Sequence, residues 1–430
     1  MLRLLKNREV KNAGWIIGEQ IFQMLVSLIV GVLSARYLGP SNYGALNYTA
    51  SFISFTTSIA ALGMEGVVIK KLIEHPDEEG EYLGGCLIFR MGASLLCMAA
   101  VTIVVIILNP SEPLKWTLVF LQSLQLLFYS VYILDSWFQR YLHSKYVSLG
   151  KMIACVLVSA YKIFLLVTGK SVVWFAVSNS LTYLIIASVL LFFYRYENGQ
   201  KLHANCSKGV EVLKDSYHFI ISGLMVSIYS QMDKIMIGQM MTDMDVGYYT
   251  TATAISGMWI FVPTAIVNSF RPKIMELKQS GNEDFYIRRL EQLYSFIIWL
   301  CIAVSIIVCI FARIAVLILY GEQYLGAVSA LRIVIWCETF SMIGTARGIW
   351  ILCENKNKYV KYYLAIGAGA NLILNYCWIP VFGIEGAGIA TLITQIVTSL
   401  IAPLFFKETR VHSKLVIEAL VLKWRWKKKT

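Results

Sequence analysis

The sequence predicts an all-α integral membrane protein with twelve transmembrane helices in two sets of six. Three observations predict it. The chain of 430 residues is 57% hydrophobic and only 15% charged, against about 25% charged in an ordinary soluble domain, and its mean hydropathy is +0.64. Apolar runs of roughly 20 residues, the length that crosses a hydrocarbon core, recur along the whole chain. Lys and Arg crowd into every second connection between those runs, the asymmetry that orients membrane helices.

The first run, 13–35, follows a basic stretch (Arg3, Lys6, Arg8, Lys11) and could imitate a secretion signal. It is longer than a signal core of roughly 7–15 residues and carries Glu19, Gln20 and Gln23, so it reads as a retained span. "SARYLGPSNYG" (34–44) then reads as a short outer hairpin, because Gly and Pro punctuate turns, and the second run follows at 43–65. The acidic "EHPDEEGE" (74–81) reads as a solvated loop before runs at 82–108, 115–138, 147–168 and 172–195. The polar stretch 197–216 is a linker that closes a first six-helix lobe, 1–196. Runs at 217–241 and 246–270 are rich in Ser, Thr, Gln and Met, as befits helices facing a wet cavity. Those at 292–313, 326–351, 359–380 and 385–406 complete a second lobe, 217–406. The tail, 407–430, is too short in apolar residues to span. Trp424, Trp426 and the terminal lysines suit an interfacial segment against anionic lipid.

Charge placement sets the topology. Lys70 and Lys71, then Arg140, Lys145 and Lys151, then Arg195, Lys201, Lys208 and Lys214, fall on one side with both termini. Arg36, Lys115 and Lys170 are the sparse cations of the other. Both termini are therefore expected in the cytoplasm. A net charge of +12 distributed in this way argues against nucleic-acid binding. The nine cysteines form no C-x-x-C pair and the five histidines show no ligand spacing, so no metal or other cofactor is expected. No phosphate-binding loop, nucleophile elbow or dinucleotide fingerprint is present, and the chain does not read as an enzyme.

What remains is charge placed inside helices, which is costly in a membrane and so points to function. At 1.5 Å per residue, Arg90 lies about 12 Å into its run and Glu338 about 18 Å into its own, near the bilayer centre. Asp233 and Lys234 are neighbours and face about 100° apart on a helix, so at least one faces inward. Lys162, Arg313 and Arg332 are shallower and read as snorkelling side chains. For the deep charges a structural ion pair between helices competes with a role in transport. Cations in a wet cavity suit an anionic diphosphate, a deep carboxylate suits proton coupling, and some of the 24 Tyr and 11 Trp residues could stack on sugar rings.

Several motifs carry a family likeness. "ARYLGPSNYGALNYTASF" (35–52), "QMDKIMIGQM" (231–240), "LYGEQYLGAVSALRI" (319–333) and "FGIEGAGIAT" (382–391) resemble the Wzx-type polysaccharide-repeat flippases of the multidrug/oligosaccharidyl-lipid/polysaccharide exporter superfamily. The resemblance runs from about residue 8 to 406. It implies two six-helix lobes around a central cavity, a MATE-like arrangement. It also implies transfer of an undecaprenyl-diphosphate-linked oligosaccharide from the cytoplasmic to the outer leaflet of a bacterial inner membrane by alternating access, for O-antigen or capsule synthesis. A polysaccharide polymerase and a chain-length regulator are the implied partners. Arg36, Asp233 and Lys234 fall on the matching motifs, while Arg90 and Arg271 join them as candidate substrate-binding residues on position alone, and Glu338 is the candidate for ion coupling. A cation-coupled multidrug antiporter of the same superfamily and a non-transporting membrane scaffold are the competing readings.

Overall fold

A computed structural model describes residues 8–421, and the described residues are helical with no strand among them. The chain divides into two compact units, Met1–Gln231 and Met232–Thr430.

The first unit opens with α1 (Arg8–Ala60), which contains the first expected span and most of the second. Only Gly39 leaves helical geometry, at φ 73° and ψ 165°. That region of backbone space is essentially closed to side chains, so one glycine does the work expected of a longer hairpin. Pro40 follows at the first position of the resumed helix, where a missing N–H and a fixed φ suit it. After α2 (Glu65–Glu74) come α3 (Glu79–Leu108), α4 (Pro113–Ser130), the short α5 (Asp135–Arg140), α6 (Ser144–Val167) and α7 (Val172–Tyr196). One apolar core joins Val68, Tyr82, Leu83, Trp137, Phe138 and Tyr194 at one end of this unit. A second, around Leu38, Ala45, Leu118, Leu165 and Phe175, closes the other end.

The acidic stretch 74–81 is solvent-exposed only over 74–77, and 78–81 is packed into the fold. Glu79 is 3% exposed, accepts from Trp137 Nε1 at 2.9 Å and Tyr141 Oη at 2.8 Å, and pairs with Arg140. Glu78 pairs with Lys208 at 2.5 Å, and Glu81 accepts from Asn205 at 2.7 Å. The partners stand 58 to 130 residues away in sequence, which is why local composition misread the segment. The stretch 201–205 lies flat on α3, with His203 N–H donating to the Gly80 carbonyl at 3.0 Å. A Cβ at Gly84 would stand 2.1 Å from the His203 carbonyl oxygen, so that approach needs glycine. The residues expected as a linker are thus pinned to the first unit as far as the start of α8 (Cys206–Met240). The boundary between the units falls within α8.

The second unit continues with α9 (Asp243–Gly257) and α10 (Phe261–Gln279). Thr242 and Asp245 cap α9 reciprocally, satisfying two otherwise orphaned backbone donors. The single helix expected over 246–270 is in fact this pair, bent by 40°. Pro263 in the first turn of α10 has no N–H to continue the ladder from α9. Then follow α11 (Glu283–Leu319), α12 (Ala327–Cys353), α13 (Val360–Ile396) and α14 (Arg410–Leu420). Within α13 the backbone leaves helical geometry at Gly383, φ 61°, between the last two expected spans. The core of this unit packs Tyr286, Leu290, Tyr294, Met342 and Trp350 with Leu415 and Val416 of α14. The start of the tail is therefore a packed helix, while Trp424 and Trp426 lie outside the described residues.

Eight helical stretches are long and apolar enough to cross a membrane among the described residues, or nine with the bent α9–α10 pair. The chain is a multi-pass membrane protein. The difference from twelve has identifiable sources. Gly14–Glu74 and Asn357–Phe405 each hold two expected spans, and α8, which holds the seventh, is less apolar than the others because of its Ser, Gln and charged residues.

Candidate functional site

In each unit one of the charges singled out from the sequence stands in a buried polar cluster. In the first, Arg90 on α3 is fully buried. Its guanidinium stands 3.8 Å from Glu65, donates to the Tyr129 carbonyl at 3.4 Å and lies 4.9 Å from the Tyr129 ring centroid. Tyr129 in turn donates to Glu65 at 3.2 Å. The ion pair is long and Nε finds no hydrogen-bond partner among the described residues. A buried guanidinium with unmet donors is expensive. The half-exposed Glu65 is the outward face of the cluster, so an anion reaching Arg90 has first to displace that carboxylate. Arg36 is exposed, one residue before Tyr37, whose hydroxyl donates to the Lys170 carbonyl at 3.1 Å. Arg36 and Arg90 thus sit in different parts of the first unit and form no joint site.

The second cluster centres on Asp233 of α8, 6% exposed. Its Oδ1 accepts from Asn375 Nδ2 at 2.6 Å and Asn371 Nδ2 at 3.1 Å, both on α13. Its Oδ2 accepts from Thr391 Oγ1 at 2.6 Å, also on α13, and from Tyr249 Oη of α9 at 2.7 Å. All four donors are uncharged, and no cation stands within ion-pairing distance among the described residues. Asn371 and Asn375 are one turn apart and so share a face of α13, and Asn375 Nδ2 also reaches Asn371 Oδ1 at 3.1 Å. Asn375 Oδ1 accepts no hydrogen bond among the described residues. Rotating either carboxamide would exchange its N–H donors for an oxygen acceptor. The same shell then presents side-chain oxygens from Asp233, Asn371, Asn375, Thr391 and Tyr249 to a small cation.

Glu338 on α12 is half-buried and accepts from Ser256 Oγ of α9 at 3.2 Å. Lys234 is half-buried and Arg271 exposed on α10. Taken unit by unit, Arg36 stands apart from Arg90 in the first, and Arg271 and Glu338 lie outside the hydrogen-bonded shell of Asp233 in the second. Asp233 is held in a complete shell and Arg90 in a partial one. The sequence reading missed Glu65 and Tyr129 around Arg90, and Tyr249, Asn371, Asn375 and Thr391 around Asp233. One signal was available: two asparagines at i, i+4 in an apolar run put two amides on one helix face.

Residues 10–277 match the family described as polysaccharide biosynthesis protein. The chain belongs to this family. Among curated proteins it is similar to the probable flippase AglR of Haloferax volcanii, 24% identical over 90% of this chain and 80% of that protein. Among solved structures, a lipid II flippase MurJ in an inward closed conformation superposes with a TM-score of 0.72 at 16% identity, covering 97% of this chain and 93% of that one. An inward-facing MATE multidrug transporter of the MOP superfamily superposes at 0.64 and 16% identity, covering 93% and 96%. This member of the polysaccharide biosynthesis family therefore has the fold shared by those transporters.

Proposed function

We propose that this chain moves a lipid-linked oligosaccharide across a membrane, and that Asp233 is where the transport cycle is coupled to a small cation or a proton. The family match carries the first half. The closed shell around Asp233 carries the second. A carboxylate buried among neutral donors is costly at membrane depth, and exchange of a cation or proton there changes its free energy enough to bias one conformation over another.

The substrate in this reading is an undecaprenyl-diphosphate-linked repeat unit, taken from the cytoplasmic to the outer leaflet of a bacterial inner membrane for O-antigen or capsule synthesis. Both chain termini are cytoplasmic, and a polymerase and chain-length regulator act next. Arg36, Lys234 and Arg271 are the cations assigned to the diphosphate. Arg90 holds Glu65 and Tyr129 in place and meets the substrate only if Glu65 moves aside. Glu338 becomes a second carboxylate of the coupling route rather than its centre. In cells, Asp233→Asn should abolish export of surface polysaccharide while the protein still accumulates; normal export removes Asp233 from the mechanism.

A further inference from the structure

A group of polar side chains in the first unit has no part in either cluster above. It lines a cavity of about 380 Å³ between the start of α1, the α5 turn and the start of α6. Glu19, 3% exposed, faces this space and pairs with Lys151 at 3.6 Å. Asp135 lines it too, accepting from Gln139 Nε2 at 3.0 Å. Asn12 closes one side, donating to Ser144 Oγ at 3.0 Å and accepting from Ser144 N–H at 2.9 Å.

A second cavity of about 280 Å³ adjoins it, with Asn12 and Leu142 lining both. Leu142 adopts φ 55°, a left-handed conformation unfavourable for a branched side chain, and this turn places it between the two spaces. The walls of the second cavity are aromatic: Trp15, Tyr141 and Tyr146, with Lys145 Nζ 5.8 Å from the ring centroids of both Trp15 and Tyr146. Together the two reach the size of small-molecule sites, roughly 300–1,000 Å³.

The chemistry selects among ligands. Each cavity is lined by a single lysine, and Lys151 is already paired with Glu19, so neither gathers the cluster of cations that a phosphate or diphosphate calls for. Carboxylates and amides in one pocket match the paired donor and acceptor character of hydroxyl groups, and aromatic side chains offer apolar faces beside polar tips. A ligand that is polyhydroxylated, uncharged and has apolar ring faces satisfies both cavities at once. We propose that the two cavities form a saccharide-binding groove, in which Glu19, Asp135 and Gln139 engage ring hydroxyls and Trp15 and Tyr146 flank the ring. The inference rests on the transport reading only for its biological meaning: the groove would take the sugar head of the lipid-linked substrate on the side of the membrane where α1 begins.

Ligand-observed saturation-transfer NMR on the detergent-solubilised full chain tests it, with N-acetylglucosamine, glucose and galactose as separate probes and pyrophosphate as the anionic one. At least one sugar should give a saturable signal, and pyrophosphate should not compete with it. Asp135→Asn, which keeps side-chain size, should weaken that signal about tenfold. Trp15→Leu should abolish it, and the exposed Gln139→Ala should weaken it in a chain whose fold is not in question. Absence of a saturable signal from all three sugars overturns the groove, as does a signal unchanged in all three variants or one displaced by pyrophosphate. The same preparations are assayed for translocation of a lipid-linked oligosaccharide. Wild type that translocates but binds no sugar refutes the groove alone; wild type that binds sugar but translocates nothing refutes the transport reading alone.

Discussion

Asn375 donates to Asp233 at 2.6 Å across 142 residues of chain. The contact joins α13 to α8 and makes the carboxylate of Asp233 part of a packed interior. It ties the one acidic residue of the "QMDKIMIGQM" motif to a polar face that only folding assembles.

The shell around Asp233 should be worth measurable stability. Thr391→Val and Tyr249→Phe each remove one donor and leave the carboxylate buried. A lost partner to a buried charged group costs about 1–3 kcal/mol. Thermal melting in detergent should show a lower midpoint for both, and Asp233→Asn should reduce the penalty of adding Thr391→Val. An equal penalty in both backgrounds means the hydroxyl does not serve the carboxylate.

Arg90 should tolerate neither loss nor shortening. Removing one member of a buried ion pair can cost about 3–5 kcal/mol, and the half-exposure of Glu65 reduces this to roughly 1–3 kcal/mol. Arg90→Leu should lower the unfolding midpoint, and Arg90→Lys should recover only part of it, since an ammonium cannot reach Glu65, the Tyr129 carbonyl and the Tyr129 ring together. Full recovery by lysine would show that charge alone matters there.

Gly39 should resist substitution. Its φ of 73° and ψ of 165° cost a residue with a Cβ of order 1–3 kcal/mol. Gly39→Ala should lower the melting temperature, whereas Gly14→Ala, where nothing stands within 4 Å of an added Cβ, should not. Equal melting of the two variants would place the break in α1 elsewhere.

Stability should fall in acid partly through Glu211. Its contact with Lys71 at 2.5 Å holds the carboxyl below the ordinary value of 4.5. A carboxyl whose pKa is lower in the folded state stabilises the fold above its unfolded value and loses that contribution as pH drops through the folded one. Wild type should therefore melt higher than Glu211→Gln at neutral pH, with the gap closing below 4.5. A gap that persists in strong acid would assign the effect to packing.

The helical membrane class and the inward placement of a charge at Asp233 were legible because both depend on local composition: long apolar runs, and a charge inside one of them. The acidic residues of 78–81 were misread because their partners, Lys208, Arg140 and Asn205 among them, come from distant parts of the chain. The break at 257–261 was visible only as Pro263, whose effect on a long apolar run depends on what packs beside it. Thr391 and Tyr249 look like ordinary residues of polar-flecked helices. Nothing in their own sequence surroundings shows that they point at one carboxylate.

The decisive measurement is translocation of a lipid-linked oligosaccharide by the reconstituted full chain under imposed sodium or proton gradients, comparing wild type with Asp233→Asn and Glu338→Gln. Wild type should translocate faster under one of the two gradients, Asp233→Asn should lose that response, and Glu338→Gln should blunt it. Wild-type vesicles that move no lipid-linked oligosaccharide, or an Asp233→Asn response equal to wild type, would contradict the proposal.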